Sequence, residues 1–322
     1  MNKKTKLTNQ SIKTLIKNRY LNKAKNHVKN IISASKHKPT SAFQHKIRIG
    51  IIGYGIVGQA VAYGFSNNNI LIYDKYKKLD PIEKVIKKSE YIFICLPTPI
   101  KCDESGIDLS IIDSNIEKIT KLTNGTNKII IIKSTVIPGT TKNYMKKYPK
   151  SLFCFNPEFL REKSYLQDFL ITDRIIIGAD NPVVFRKVSS LYKSITPDIP
   201  IFKTDPTSAE MVKYMANCFL ATKVIFANEM YDICKKLNIN YSEVKKMVSA
   251  DKRIGESHFD VTSLRGFGGK CFPKDLLALK ALAKKLNVDT TILDAVWKKN
   301  LKVRKIHDWE EIPFVVSKKN KD

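Results

Sequence analysis

The segment that most constrains the fold is a glycine motif between two apolar runs, at residues 47–74. The β-branched run IRIGII precedes Gly53, Gly55 and Gly58 in the spacing G-x-G-x-x-G, and a helical pattern follows. A second apolar run, ILIY, leads into Asp74, about twenty residues beyond the first glycine. Strand, glycine turn, helix, second strand and terminal acid together predict a dinucleotide-binding βαβ unit.

Each part of this unit has a predicted physical role. The first glycine allows a tight turn, the second lets a pyrophosphate approach the backbone, and the third lets the helix lie against its strand. The helix N-terminus then faces the phosphates. Asp74 would accept a hydrogen bond from the adenosine ribose and repel a 2′-phosphate. We therefore predict a preference for NAD over NADP, which the nearby Lys75, Lys77 and Lys78 weaken.

Further apolar runs predict a sheet covered on both faces. They are YIFICLP (91–97), KIIIIKS (128–134), SLFCF (151–155) and RIIIG (174–178). Near-continuous apolar runs suit strands that are buried on both sides. Ligands of such sheets lie beyond the carboxyl ends of the strands, so three loops are expected to line one crevice. These loops are PTP (97–99), STVIPGTT (134–141) and NPEFLRE (156–162).

The chain becomes helical after residue 205. Residues 208–237 contain neither Gly nor Pro and predict one helix of roughly 45 Å, with shorter helices at 242–249 and 275–286. The predicted fold class is α/β, with a Rossmann-like, doubly wound, mostly parallel sheet followed by an all-helical central domain with one long helix. The predicted domains are a basic amphipathic or disordered tail (1–46), an NAD-binding Rossmann domain (47–205), a helical central and dimerisation domain (206–304) and a C-terminal tail (305–322).

The net charge is +27, from 57 Lys and Arg against 30 Asp and Glu, which favours anionic partners. No acidic residue precedes Asp74, so the predicted tail is strongly basic. A solvated tail is one interpretation, and contact with nucleic acid, a membrane or a partner is the alternative. Since neither a membrane-spanning run nor a secretory signal is recognisable, the expected location is cytoplasmic.

Six cysteines show no C-x-x-C pair and no regular spacing, so neither a disulfide scaffold nor a zinc site is predicted. Cys271 differs from the other cysteines in its sequence context, because it follows three glycines in the segment GFGGKCFPKD. Glycine turns can direct backbone N–H groups towards an anion, and a lysine ammonium nearby would lower the pKa of the thiol. A buried, inert cysteine is the alternative interpretation.

Other candidate side chains also have two interpretations. Lys213 and Asn217 are four residues apart and share one face of the predicted long helix. The two side chains are either part of a functional site or a solvated polar stripe on the helix. Glu158 and Glu162 are candidate bases or surface carboxylates. Thr135 could position a water molecule or the nicotinamide.

These motifs together resemble the nucleotide-sugar dehydrogenases, specifically the UDP-glucose 6-dehydrogenase and GDP-mannose dehydrogenase family. The resemblance runs from residue 47 to 304 through GYGIVG, LPTP, KSTVIPGTT, NPEFLRE, AEMVKYMANCFLATKVIFANE, DKRIG and GFGGKCFPKD. DKRIG is similar to the UDP-glucose type, and the lack of a histidine before Cys271 argues against the N-acetylmannosamine branch. The family's third, nucleotide-binding domain is not in this sequence, so we expect that a separate chain supplies it or that nucleotide binding is weak.

The resemblance implies an NAD-dependent four-electron oxidation of a sugar CH₂OH to a carboxylate, with UDP-glucose favoured over GDP-mannose. It also implies a homodimer through the long helix and no metal. The implied catalytic residues are Cys271, Lys213, Asn217, Asp275, Glu158, Glu162 and Thr135. The implied cofactor contacts are Gly53, Tyr54, Gly55, Ile56, Val57, Gly58, Asp74, Pro97, Thr98, Ser134 and Thr135. The implied substrate contacts are Phe159, Leu160, Arg161, Lys213, Arg253, His258, Phe267 and Gly268.

Two other functions fit parts of the sequence. A β-hydroxyacid-type dehydrogenase also carries a Lys and Asn pair on its first long helix, for a two-electron oxidation. A degenerate, non-catalytic family member acting as a binding protein would keep the motifs and use its basic tail to engage a partner.

Overall fold

The computed structural model describes residues 46–317 of the 322-residue chain. The predicted basic tail over 1–46, with its predicted contacts, therefore lies outside the described residues apart from Lys46. Residues 318–322 of the predicted C-terminal tail lie outside them as well.

The first part of the structure is a seven-stranded sheet in the order β2-β1-β3-β4-β5-β6-β7. All neighbouring strands are parallel except β5 and β6, which meet antiparallel at Phe155 and Gly178. The mostly parallel α/β sheet confirms the predicted fold class. The strands are β1 (Arg48–Ile52), β2 (Asn69–Tyr73), β3 (Tyr91–Ile94), β4 (Ile129–Ile132), β5 (Leu152–Phe155), β6 (Ile175–Gly178) and β7 (Ile201–Thr204).

Helices cover both faces of this sheet, which explains the unbroken apolar runs. In β4, Ile129 and Ile131 join the hydrophobic cluster on one face, while Ile130 and Ile132 join the cluster on the other. All four side chains are buried. The helices are α1 (Ile56–Gly64), α2 (Ile82–Lys88), α3 (Ser110–Thr123), α4 (Thr140–Lys147), α5 (Tyr165–Leu170) and α6 (Pro182–Lys193).

The second part of the structure is helical and is organised around α7 (Pro206–Lys236), a helix of 31 residues. Asp205 caps its N-terminus by accepting hydrogen bonds from the backbone N–H groups of Thr207 and Ser208. The helix packs against β6 near its start and against α9 (Phe272–Lys285) and α10 (Thr291–Val303) further along. A shorter helix, α8 (Tyr241–Ser249), follows α7 directly.

Residues 308–317 return from α10 to the sheet-containing part of the chain. They begin with a 3₁₀ turn, Asp308–Glu310, in which Trp309 is buried. Val315 is buried as well, in one hydrophobic cluster with Ile100. This part of the predicted C-terminal tail is therefore packed against the body of the structure.

Across residues 46–317, no helix has both the length and the apolar character needed to cross a membrane.

Candidate active site

The glycine motif forms a turn between β1 and α1 with one open position. Gly53 has φ +95°, and a Cβ atom there would lie 2.4 Å from the carbonyl oxygen of Cys95. A Cβ atom on Gly58 would lie 2.1 Å from the carbonyl oxygen of Gly53. Gly55, by contrast, has no heavy atom within 4 Å of its Cβ position. The first and third glycines are thus required by packing, and the second leaves space in front of the α1 N-terminus for a phosphate.

Asp74 lies beside this turn at the end of β2. Its carboxylate accepts hydrogen bonds from the backbone N–H groups of Tyr54 at 2.8 Å and Tyr76 at 2.9 Å. A carboxylate offers about four lone-pair sites, so further donors can be accepted. Lys77 donates to the carbonyl oxygen of Tyr54. The open glycine position, the helix N-terminus and the half-buried carboxylate together fit a dinucleotide.

The loops that follow β3 and β4 are held together by side-chain hydrogen bonds. Ser134 Oγ donates to the carbonyl oxygen of Leu96 at 2.8 Å and accepts from its backbone N–H at 2.9 Å. Thr98 Oγ1 donates to the carbonyl oxygen of Thr135 at 2.7 Å. The structure therefore brings the predicted cofactor contacts from PTP and STVIPGTT to the same edge of the sheet.

A buried ion pair joins α7 to the loop after β5. Lys213 Nζ lies 2.9 Å from Glu158 Oε1 and donates to the carbonyl oxygen of Glu158 at 2.7 Å. Their side chains are only 5% and 10% exposed. Burial raises the pKa of Glu158, but Lys213, the backbone N–H of Leu160 and Lys133 together bring the pKa below its usual value. Burial lowers the pKa of Lys213, but Glu158, Cys271 and Asp275 together bring the pKa above its usual value. Both groups are therefore charged at neutral pH.

A second polar contact joins α7 to α9. Asn217 Nδ2 donates to Asp275 Oδ2 at 2.5 Å, and Lys274 Nζ lies 2.5 Å from Asp275 Oδ1. The carboxylate of Asp275 is buried. Because Lys213 and Asn217 lie one turn apart, their partners Glu158 and Asp275 approach from different elements towards one region of α7.

Cys271 lies at the N-cap of α9, one turn before Asp275. Solvent reaches its side chain, although protein encloses most of the surroundings of the thiol. This enclosure raises the pKa of the thiol to about 11, while Lys213 acts to lower it and Glu158 acts to raise it. The thiol is therefore protonated at neutral pH, and the charged groups that act on it are Lys213, Glu158, Asp275 and Lys274.

Several predicted site residues lie at the edge of this cluster or outside it. Glu162 is exposed, in contrast to the buried Glu158. Arg161 is exposed and pairs with Asp168 at 2.6 Å. Arg253 is exposed and pairs with Asp251.

Two predicted substrate residues lie around the Cys271 loop. His258 is half-buried, with its ring centre 5.6 Å from that of Phe272. Burial lowers the pKa of His258, with smaller contributions from Lys223 and Arg161. Phe267 is buried in the helical core, with its ring centre 6.3 Å from that of Trp297.

The glycine loop before Cys271 owes two of its glycines to packing. A Cβ atom on Gly266 would lie 2.4 Å from Asn300 Oδ1, and one on Gly268 would lie 2.1 Å from Asp308 Oδ1. Gly269 has φ +74° and nothing within 4 Å of its Cβ position. The packing therefore leaves room for a ligand at Gly269 and not at Gly266 or Gly268.

Two buried charged residues near the site were not recognised in the sequence. Glu210 accepts hydrogen bonds from the backbone N–H groups of Gly139 at 2.5 Å and Thr141 at 2.8 Å, which ties α7 to the STVIPGTT loop. The sequence feature that could have revealed Glu210 is its position three residues before Lys213, which places both side chains on the same face of the helix. Lys133, directly after β4, donates to Asn156 Oδ1 at 2.7 Å and so holds the start of the NPEFLRE loop. Burial lowers the pKa of Lys133 to about 8.

The fold and the open glycine turn define a dinucleotide-binding protein of the Rossmann type with a helical second domain. Residues 73–196 match the profile described as UDP-glucose/GDP-mannose dehydrogenase family, NAD binding domain. Residues 207–302 match the central domain of the same family. The chain belongs to the UDP-glucose/GDP-mannose dehydrogenase family, and NAD is the cofactor that its first domain binds.

Individual relatives agree with this assignment. The chain is 37% identical over 235 residues to a UDP-glucose 6-dehydrogenase of Rickettsia bellii, covering 71% of this chain and 53% of the relative. It is 33% identical over 294 residues to that of Rickettsia typhi, covering 79% and 67%. A solved UDP-glucose dehydrogenase from Pyrobaculum islandicum superposes with a TM-score of 0.73 at 29% identity, covering 82% of this chain and 70% of that one. The chain spans about half the length of the first curated relatives it matches.

Proposed function

We propose that this chain carries out the NAD-dependent four-electron oxidation of a nucleotide sugar, UDP-glucose to UDP-glucuronate, through covalent intermediates on Cys271. The observation that supports it most is the convergence of two buried contacts, Lys213 with Glu158 and Asn217 with Asp275, on the region in front of one solvent-accessible thiol. A cysteine with a purely structural role would not need two buried contacts that include charged side chains beside it.

The proposed chemistry divides a hard oxidation into two steps. NAD, when bound, accepts a hydride in each of the two oxidations. The alcohol first loses a hydride and a proton to become an aldehyde. The Cys271 sulfur then adds to the aldehyde carbon, and the thiol proton ends on oxygen, giving a thiohemiacetal. Loss of a second hydride and a proton gives a thioester. Water breaks the C–S bond, releases the acid and restores the thiol.

The side chains have roles in this proposal that their contacts suggest. Lys213 and Asn217 are preorganised donors for the oxygen that becomes negative, because the protein already holds both in place. Glu158 and Asp275 are the buried carboxylates available to accept protons, since the Glu158 carboxylate pairs with Lys213 and the Asp275 carboxylate accepts a hydrogen bond from Asn217. The raised pKa of Cys271 means that proton removal accompanies attack by sulfur. The exposed Glu162 has less support as a base.

The proposal is tested by counting NADH per sugar with the purified full chain. A panel of UDP- and GDP-sugars is supplied in limiting amounts with excess NAD⁺, and NADH and sugar acid are quantified. We expect two NADH and one acid per UDP-glucose. One NADH per sugar without acid would instead favour the two-electron oxidation of a β-hydroxyacid-type enzyme, and no NADH with any sugar would contradict the proposed activity.

We also propose that α7 forms a homodimer. Its outer face carries exposed apolar side chains at intervals of four and seven residues, which form one stripe along the helix. The stripe consists of Met211, Met215, Phe219, Phe226 and Ile233. A contiguous exposed apolar surface of this length is typical of a protein–protein interface, and a second copy of α7 would bury it symmetrically.

Charge placed in this stripe is expected to separate the subunits. We expect Met215→Glu combined with Phe219→Glu to change a dimer into a monomer in size-exclusion chromatography with light scattering, because like charges would face each other across the twofold axis. Ile171→Glu is the matched control, since Ile171 is equally exposed on the sheet-containing part and should leave the dimer intact. A parent chain that is monomeric at micromolar concentration contradicts this proposal.

A further inference from the structure

The segment 308–317 contacts two loops of the proposed active site at once, and we call it the strap. One of these loops is the glycine loop, 265–270, which leads directly into Cys271. The other is the cofactor-side loop, 97–100, which follows β3. The contacts are partly buried side-chain contacts on the first side and backbone hydrogen bonds on the second, so they fix distances between the two loops.

On the glycine-loop side, the contact is made by a partly buried ion pair. Asp308 Oδ2 accepts a hydrogen bond from the backbone N–H of Gly269 at 3.2 Å, and Asp308 Oδ1 lies 2.9 Å from Arg304. Arg304 is buried and also donates to the carbonyl oxygen of Arg265 at 3.0 Å. The pair lies so close over Gly268 that a side chain there would collide with it.

Helix α10 strengthens this contact one turn earlier. Asn300 Oδ1 accepts from the backbone N–H of Phe267 at 2.8 Å, and Asn300 Nδ2 donates to the carbonyl oxygen of Phe267 at 3.1 Å. The amide of Asn300 is buried, so these hydrogen bonds replace contacts with water. The glycine loop is therefore held along its backbone at Arg265, Phe267 and Gly269.

On the cofactor side, the strap pairs with the loop that carries Thr98. The backbone N–H of Ile100 donates to Val315 O at 2.8 Å, and the backbone N–H of Ser317 donates to Ile100 O at 2.7 Å. Trp309 is buried in the same hydrophobic cluster as Ile100. Ile100 lies two residues after Thr98, whose hydroxyl is bonded to the STVIPGTT loop.

We propose that the strap fixes Cys271 relative to the cofactor-side loop, with Asp308 and Arg304 as positioning residues for the thiol. The effect on turnover rests on the proposed function, whereas the effect on the thiol itself does not. Covalent capture followed by hydride transfer requires the sulfur, the reacting carbon and the nicotinamide to be aligned, and a displacement of about 1 Å costs on the order of 100-fold in rate.

The test is Asp308→Ala in the full chain, read out through the reactivity of the thiol. The substitution removes the acceptor for Gly269 and leaves Arg304 without its carboxylate. Iodoacetamide reacts with thiolate, and below the pKa the thiolate fraction rises tenfold per pH unit. Enclosure raises the pKa of Cys271 to about 11, so a loosened loop lowers it towards the ordinary value. We expect alkylation of the Cys271 peptide at pH 8, followed by mass spectrometry, to be about threefold faster or more.

Two further variants sharpen this test. Asp308→Asn keeps a carbonyl oxygen for Gly269 and should restore alkylation to within about twofold of the parent. Asp294→Ala removes a carboxylate from α10 that pairs with Lys280, and it should leave the alkylation profile unchanged. If Asp308→Ala does not fold, Arg304→Lys gives the same readout, because lysine keeps the charge but not the planar fork that reaches Asp308 and the carbonyl oxygen of Arg265 together.

Kinetics separates this inference from the proposed function. With UDP-glucose, Asp308→Ala should lower kcat about tenfold or more while the KM values for NAD⁺ and sugar change by less than about threefold. A folded Asp308→Ala protein with the parent's alkylation profile overturns the role of the strap. A parent chain that oxidises no sugar contradicts the proposed function, and the alkylation result still decides the positioning role.

Discussion

Cys271→Ser is expected to lower formation of the sugar acid by a factor on the order of 10³ or more. Serine is nearly isosteric with cysteine, but its hydroxyl is a much weaker nucleophile and a poorer leaving group. The aldehyde would not be captured as a thiohemiacetal, so no thioester would form. At most one NADH per sugar should appear, against two for the parent chain. The measurement is NADH absorbance combined with chromatographic quantification of the acid.

Cys102→Ser is the matched control for this variant. Cys102 is the other exposed cysteine among the six, and the remaining four are buried. Removing its thiol should leave both NADH count and acid yield unchanged, because it lies in a polar loop without a role in the proposed chemistry. Acid formation by Cys271→Ser at the parent's rate would contradict the covalent mechanism.

The sheet was largely predictable because both of its faces are buried. Strands such as β4, with four consecutive isoleucines, have no polar face, and this pattern distinguishes them from the amphipathic helices between them. Strand β7 was not recognised. Its residues Phe202 and Lys203 are exposed at the edge of the sheet, so its sequence lacks the apolar signal of the inner strands.

The long helix was predictable for a different reason. Its sequence lacks internal Gly and Pro, and the structure extends it from Pro206 to Lys236 as one element. The spacing of Lys213 and Asn217 also predicted that they share a face, and both are buried there. Helical geometry alone determines such short-range relations.

The partners of these helical residues could not be deduced in the same way. Nothing in the local sequence separates Glu158 from Glu162 as the partner of Lys213, because the two glutamates lie in one loop and the lysine is distant in the chain. The fold alone makes one of them buried and the other exposed. The contacts of Asp308 with the glycine loop were unpredictable for the same reason, since they depend on how the segment after α10 packs back against the rest of the structure.

Lys213→Met is expected to reduce the free energy of unfolding by about 3–5 kcal/mol as well as abolish turnover. The substitution leaves the buried carboxylate of Glu158 without its ammonium partner. Lys121→Met is the matched control, because the pair of Lys121 with Glu117 is exposed and water screens it, so its loss should change stability little. Thermal and denaturant unfolding of the parent and both variants provide the comparison.

The double variant Lys213→Met with Glu158→Gln separates stability from chemistry. Removing both charges eliminates the unpaired buried carboxylate, so most of the lost stability should return, whereas turnover should not, because the oxyanion donor is still missing.

The pKa of Glu158 is lowered in the folded protein, so the pair's stabilisation is present above the usual glutamate pKa of about 4.3 and is lost as pH falls through the lowered value. The pKa of Lys213 is raised, so its contribution is complete below about 10.4 and is lost as pH rises through the raised value. The contribution of this ion pair to the stability of the parent should therefore be constant from about pH 6 to 9. A double variant that regains turnover along with stability would show that Lys213 acts only as the partner of Glu158.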